Sequence, residues 1–238
     1  MTLANSSAPL IAFEGIDGSG KGTQATRLHA RLIEHGIRSE LFSFPRYQST
    51  FFGSRIGEFL NGEFGDLNEL DPFLISLLYA GDRFESRERL LQARAQNEAV
   101  VLDRYIPSNL AHQSAKKSGD ARSRLQEWIQ QVEYGIFALP RPNLVVLLDV
   151  PVDVSQELIQ RKQKRSYTDL VTDLQESDMS YLEQVREIYL ELAESSDDWV
   201  AVSIVQDGQL RSIEEIGTEI WDLVRCRLPF PQAHPAAR

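Results

Sequence analysis

The chain holds one cysteine, Cys226, in 238 residues. A lone cysteine excludes an internal disulfide framework and any zinc site built from cysteines. No apolar run approaches the ~20 residues that span a bilayer, and Met1 to Pro9 lacks the basic and apolar regions of a secretory signal. The expected setting is a reducing cytoplasm. Positive charge is also scarce: 25 Lys and Arg against 35 Asp and Glu leave a formal net charge of −10. That balance argues against a nucleic-acid partner, which needs a basic surface. It admits a small anionic substrate wherever arginines gather locally. No internal repeat or low-complexity linker divides the chain. Residues 10–227 therefore read as one domain, large enough to bury a substantial core, between a tail at 1–9 and another at 228–238.

What the chain does contain is the stretch LIAFEGIDGSGKGTQ, residues 10–24. An apolar run, Leu10 to Phe13, leads into a glycine-rich loop and then directly into an amphipathic helical pattern. Such a strand, loop and helix place backbone N–H groups and a helix N-terminus around one point, which suits a phosphate chain. The loop runs Gly15, Ile16, Asp17, Gly18, Ser19, Gly20, Lys21, Gly22, Thr23. Its spacing fits G-x-x-x-x-G-K, with Gly22 in the usual Ser/Thr slot and Thr23 one residue late. An ordinary glycine-rich turn is the alternative. The agreement of strand, glycines, lysine and helix favours phosphate.

The pattern predicts strands near 10–14, 40–44, 99–102, 143–150 and 199–205. Helices are expected at 20–34, 51–62, from Asp71 to about Ala95, 107–117, 121–138, 152–163, 177–196 and 211–226. In the first helix Leu28, Leu32 and Ile33 should face inward. Asp71-Pro72 supplies an N-cap and a proline at the first helical position. Continuous apolar runs such as NLVVLLDV (143–150) suit parallel strands covered on both faces. Alternating strand and helix give an α/β fold, a five-stranded parallel sheet with helices on both sides. Ligands of such sheets bind beyond the C-terminal strand ends. Asp17, Phe44-Pro45-Arg46, Asp103-Arg104 and Asp149 all follow strands and share that edge.

Several residues there are chemically equipped. Lys21 offers a fixed positive charge to β- and γ-phosphate oxygens. Thr23 and Asp103 are candidates to hold Mg²⁺ or its water shell. Tyr105, Ser108, Asn109 and His112 fall at i, i+3, i+4 and i+7, one polar stripe if helical. Tyr79 and Arg83, one turn apart, can offer a ring to a base and a guanidinium to an anion. Arg161, Lys162, Lys164 and Arg165 form a basic segment able to close over a phosphoryl-transfer site, although charge runs are more often simply solvated.

Together FEGIDGSGKGTQ (13–24), SFPRY (43–47), LLYAGDRFE (77–85), LDRYIPSN (102–109), LPRPNLVVLLDVP (139–151) and YLEQVREIYLELA (181–193) resemble the thymidylate kinase family of P-loop nucleoside-monophosphate kinases. The likeness runs in the family's order over residues 10 to about 205. It implies Mg²⁺-dependent transfer from ATP to dTMP, giving dTDP for dTTP synthesis, in a homodimer that meets near 51–60 and 106–113. ATP's phosphates would lie on Gly15–Thr23. Asp17 would touch the sugar or the metal, and Phe44, Pro45 and Arg46 would line the monophosphate pocket. Tyr79 would stack on thymine, Arg83 and Arg104 would bind base and phosphate, and Asn109 would meet the base edge beside Ser108. Residues 161–175 would form the lid, with Glu176 an acidic neighbour of the substrate.

The chain departs from the family in places. Gly18 stands where some members carry a loop arginine, so the helping arginine should come from the lid, as Arg161 or Arg165. Asp173 is followed by Leu174 where the lid usually has an Asp-Arg pair. Gln175 falls where some members place a tyrosine, and His112 stands near the sugar's 2′ position. Two other readings stay open: a kinase for another nucleoside monophosphate or a deoxynucleoside, and a nucleotide-binding regulator on the same fold.

Overall fold

The computed structural model describes residues 7–65, 70–163, 179–228 and 230. In chain order the elements are β1 (Leu10–Glu14), α1 (Lys21–Glu34), β2 (Ser39–Ser43), α2 (Phe51–Leu60), α3 (Pro72–Glu85), α4 (Arg87–Gln96) and β3 (Ala99–Asp103). There follow α5 (Ile106–Ser114), α6 (Gly119–Gln130), a π-helical turn (Gln131–Ile136), β4 (Leu144–Asp149), α7 (Val152–Gln163), α8 (Met179–Glu194) and β5 (Trp199–Ser203). A short hairpin, β6 (Val205–Gln206) with β7 (Gln209–Leu210), precedes α9 (Ile213–Arg227).

Five strands form one sheet in the order β2-β3-β1-β4-β5, with every pair parallel. Side chains alternate across a strand, so β1 feeds two cores. Ile11 and Phe13 join Val101 and Val146 under Ala25 and Leu28 of α1, Val185 and Ile188 of α8, and Ile220 and Val224 of α9. Leu10 and Ala12 join Val100, Leu102 and Val145 under Leu90 of α4, Leu110 of α5, and Leu125 and Ile129 of α6. A smaller cluster around Phe59 and Ile75 fastens α2 to α3. The register pairs Ser43 and Phe13 with Asp103, and Asp149 with Ser203, which brings the strand ends to one edge.

Several expectations change. Ile33 is 53% exposed: Ala25, Leu28 and Leu32 already define the inward stripe, and the next position turns about 100° away. The single helix expected from Asp71 divides at Ser86, whose φ −87° and ψ −6° depart from α geometry and whose hydroxyl accepts from Arg46 Nη1 at 3.2 Å. The helix expected over 121–138 widens into the π turn. Ala8, expected in the tail, is buried and exchanges backbone and side-chain hydrogen bonds with Arg94. The last strand stops at Ser203, and the unforeseen hairpin turns at Asp207-Gly208, both at positive φ, as a two-residue hairpin loop requires.

Candidate active site

The loop after β1 is pressed onto its neighbours. A Cβ at Gly15 would stand 2.5 Å from the Leu148 carbonyl oxygen, and one at Gly18 would stand 2.5 Å from that of Ser155. Ser155 Oγ donates to the Asp17 carbonyl at 2.7 Å, tying the loop to α7. Helix α1 starts behind Gly20 with no side-chain cap and no acidic residue in its first turn. Its first N–H groups are thus left for an anion outside the chain. Lys21 folds back over the loop, donating to the Ile16 carbonyl at 2.7 Å and lying 3.8 Å from Asp17. Burial, helped by the nearby Arg104 charge, pushes its ammonium down to about 8 against the pull of Asp17, Asp103 and Glu14. Thr23 is exposed on α1.

Arg104 joins this loop to α5. Its backbone takes the left-handed φ of 63°, a conformation that non-glycine residues adopt at a cost. The guanidinium pairs with Asp17 through Nη2, while Nη1 donates to Ser108 Oγ at 3.3 Å. Nη1 also lies 3.3 Å from His112 Nε2. Arginine only donates, so Nε2 is the acceptor and His112 carries its proton on Nδ1. From there it donates to Tyr181 Oη at 3.2 Å, and Tyr181 donates to the His112 carbonyl at 3.0 Å. Burial, with Arg104 alongside, pushes the imidazole down to about 3, so it stays neutral. Burial also raises Asp17, but Arg104 and Lys21 outweigh it and hold its carboxyl below the usual range. Beneath them Glu14 is buried and accepts from Tyr105 N–H at 2.7 Å, Ser108 Oγ at 2.5 Å and Tyr189 Oη at 3.0 Å. Burial outweighs these contacts and raises its pKa.

Beyond Arg104 lies a cavity of about 140 Å³ whose walls include Asp17, Phe44, Pro45, Tyr79, Arg83, Arg104, Ser108, Asn109 and His112. Four sequence segments expected to share a site are therefore brought together. Tyr47, Gln113 and Tyr181 also line it, although sequence reasoning gave them no role. Gln113 follows His112 directly and is buried, its Oε1 without a partner among the described residues. Only its helical spacing from Asn109 could have indicated it.

Other expected residues lie elsewhere. Arg46 does not line the cavity. Its N–H donates to Asp82 at 3.0 Å, its guanidinium reaches Ser86, and it covers the Phe42 ring. Tyr105 leaves the expected stripe for the core, with its hydroxyl on the Pro140 carbonyl. Asp149 is taken by Arg186 in a bidentate pair at 2.7 and 3.0 Å. Arg161, in the last turn of α7, is exposed, 3.3 Å from Glu157 and off the cavity wall. Arg165, Glu176 and the rest of the expected lid beyond 163 lie outside the described residues. Helix α5, an expected contact between copies, is mostly buried within the chain.

For Mg²⁺ the donor set is sparse but suitable. Among the described residues no cluster of three His, Cys, Asp or Glu could hold a metal. Mg²⁺ bound to a nucleotide keeps several waters and needs only one or two carboxylates. Asp103 provides one: its Oδ2 stands 2.9 Å from where a side chain at position 22 would begin, at the slot a motif hydroxyl ordinarily occupies.

Comparison with known proteins agrees with this geometry. A solved thymidylate kinase structure from Candida albicans superposes with a TM-score of 0.72 at 26% identity, covering 92% of each chain. The thymidylate kinase of Mycobacterium tuberculosis (strain ATCC 25618 / H37Rv) is 31% identical over 186 residues, 77% of this chain and 85% of its own. A probable thymidylate kinase of Pyrococcus abyssi is 34% identical over 220 residues, 92% of this chain and 96% of its own. The thymidylate kinase family model matches residues 13–220, and by that match this chain belongs to the thymidylate kinase family.

Proposed function

We propose that the protein transfers the γ-phosphoryl group of ATP to dTMP, forming ADP and dTDP for dTTP synthesis. The observation that carries this reading is Arg104, which reaches from the loop at Asp17 to the wall of the base-sized cavity at Ser108 and His112. ATP's phosphates are assigned to Gly15–Thr23, where the uncapped α1 N-terminus and Lys21 receive negative charge. dTMP is assigned to the cavity, its base against Tyr79, Arg83 and Asn109, its sugar near His112 and its phosphate toward Arg104. Asp103 and Thr23 would hold Mg²⁺, which would supply neutralisation of phosphate charge. The acceptor oxygen of dTMP is already ionised at neutral pH, so no side chain need act as a strong base. Alignment by Arg104 and Asp17 and charge neutralisation by Lys21 do the work. Arg161 and Arg165 are assigned to the lid that closes over ATP, with Glu176 near the acceptor.

The protein is further assigned to the cytoplasm, consistent with its single cysteine and with the absence, among the described residues, of a helix long and apolar enough to cross a membrane. It is assigned as a homodimer through α2, the remaining expected contact, where Phe51 is 64% exposed. Sedimentation tests that arrangement. The activity is tested by offering dTMP, dUMP, AMP, CMP and thymidine with Mg-ATP and following ADP release. dTMP should be the best acceptor by at least about tenfold over AMP and CMP. Equal or better use of AMP or CMP contradicts the assignment.

A further inference from the structure

Behind the cavity wall, Glu133 of the π turn is fully buried. Its Oε2 accepts from Arg83 Nε at 2.5 Å and its Oε1 from Arg83 Nη2 at 2.6 Å. The same Oε1 accepts from Asn109 Nδ2 at 2.8 Å, and that amide nitrogen also donates to the Ser76 carbonyl at 3.0 Å. Neither partner of Nδ2 can donate, so the Asn109 amide has one orientation open to it. Both N–H bonds are spent inside the wall, and Oδ1 is left as a buried acceptor with no partner among the described residues. On Arg83 the carboxylate engages Nε and Nη2 and leaves Nη1 as the donor corner of a residue that lines the cavity.

We infer that Glu133 is a positioning residue that sets base specificity by fixing Arg83 as a donor and Asn109 as an acceptor. An acceptor beside a donor complements a pyrimidine with a 4-oxo group and a protonated N3. It opposes a 4-amino pyrimidine, whose edge offers a donor and a bare nitrogen in the same places. Discrimination of this kind is large because the wrong base leaves buried polar groups unpaired. A widened helical turn carries the carboxylate, a local irregularity frequent at functional sites. Glu133 acts only through Arg83 and Asn109 and need not touch the base.

The inference rests on dTMP being the acceptor, so wild-type enzyme is assayed first with dTMP and dCMP. If it shows no preference for dTMP, the substrate assignment fails, and the inference with it. Given a preference, Glu133→Gln puts a donor against one of the donors it now accepts from. The KM for dTMP should rise about tenfold, the dTMP-to-dCMP ratio of kcat/KM should fall about tenfold or more, and the KM for ATP should stay within about twofold. Glu133→Asp keeps the charge facing Arg83, and so the fold, but is one methylene too short to serve both partners. It should lower the same ratio by a smaller factor. A ratio within about twofold of wild type in both variants, or a loss confined to kcat, overturns the inference while leaving the substrate assignment standing. So does failure of both variants to unfold cooperatively, because Glu133 would then serve only the core.

Discussion

Lys21 is buried and stands within reach of both Asp17 and Arg104, so its charge depends on what the loop binds. With its pKa near 8 in the free protein, the ammonium is largely charged at pH 7 and largely neutral at pH 9. A bound polyphosphate favours the charged form and raises that pKa. Binding ATP should therefore take up a proton, and affinity should fall as pH rises above about 8. Calorimetry in buffers of different ionisation enthalpy reads the uptake; proton release, or affinity that rises between pH 8 and 9, contradicts it. Arg104 has the most shared geometry, and Arg104→Ala should cut kcat/KM for dTMP by about 10²–10³ while ATP affinity changes by less than about threefold. Unchanged dTMP kinetics would remove it from the site. These residues were legible because each sits in a motif beside a strand end. Arg46 was equally legible and yet is drawn to Asp82 and Ser86, since nothing local in SFPRY records partners some 40 residues away. Glu133 carried no signal at all: its importance comes from being the buried counter-charge of Arg83, 50 positions earlier.

Helices and strands were easier to read than their ends. The central strands β1, β3 and β4 followed from continuous apolar runs, which a sheet covered on both faces requires. The break at Ser86 and the π turn at Gln131–Ile136 coincide with tertiary hydrogen bonds, to Arg46 in one case and to Arg83 and Asn109 in the other, that no local pattern records. The hairpin at Asp207-Gly208 went unpredicted although its dipeptide is one that tight turns favour. Helices α2 and α3 cross closely at Gly81, where an added Cβ would meet the Phe52 ring at 2.6 to 2.8 Å. Gly81→Ala should therefore cost about 1–3 kcal/mol by overpacking. A urea unfolding midpoint equal to or above that of wild type would show that the crossing tolerates the methyl group. Tyr79 and Arg83 lie on α3, so the same variant should weaken dTMP more than ATP.

At the scale of the molecule, the sheet edge explains why residues distant in sequence meet. Parallel strands all end on one side, and the loops after β1, β2 and β3 deliver Asp17, Phe44-Pro45 and Arg104 to one cavity. That convergence could be anticipated from strand–helix alternation alone. Which polar atoms would be left free inside the cavity could not, because it depends on packing by α5 and the π turn. The net charge of −10 places no general barrier before a nucleotide, since Lys21 and Arg104 lie together at the loop to which the phosphates are assigned. Whether this arrangement transfers phosphate or merely binds nucleotide is decided by following the label of γ-³²P-ATP with dTMP and Mg²⁺. The label should appear in dTDP, matched one for one by ADP, and should stay in ATP when Lys21→Ala replaces wild type. ATP binding by wild type with no label passed to dTMP would contradict the kinase and leave a nucleotide-binding regulator.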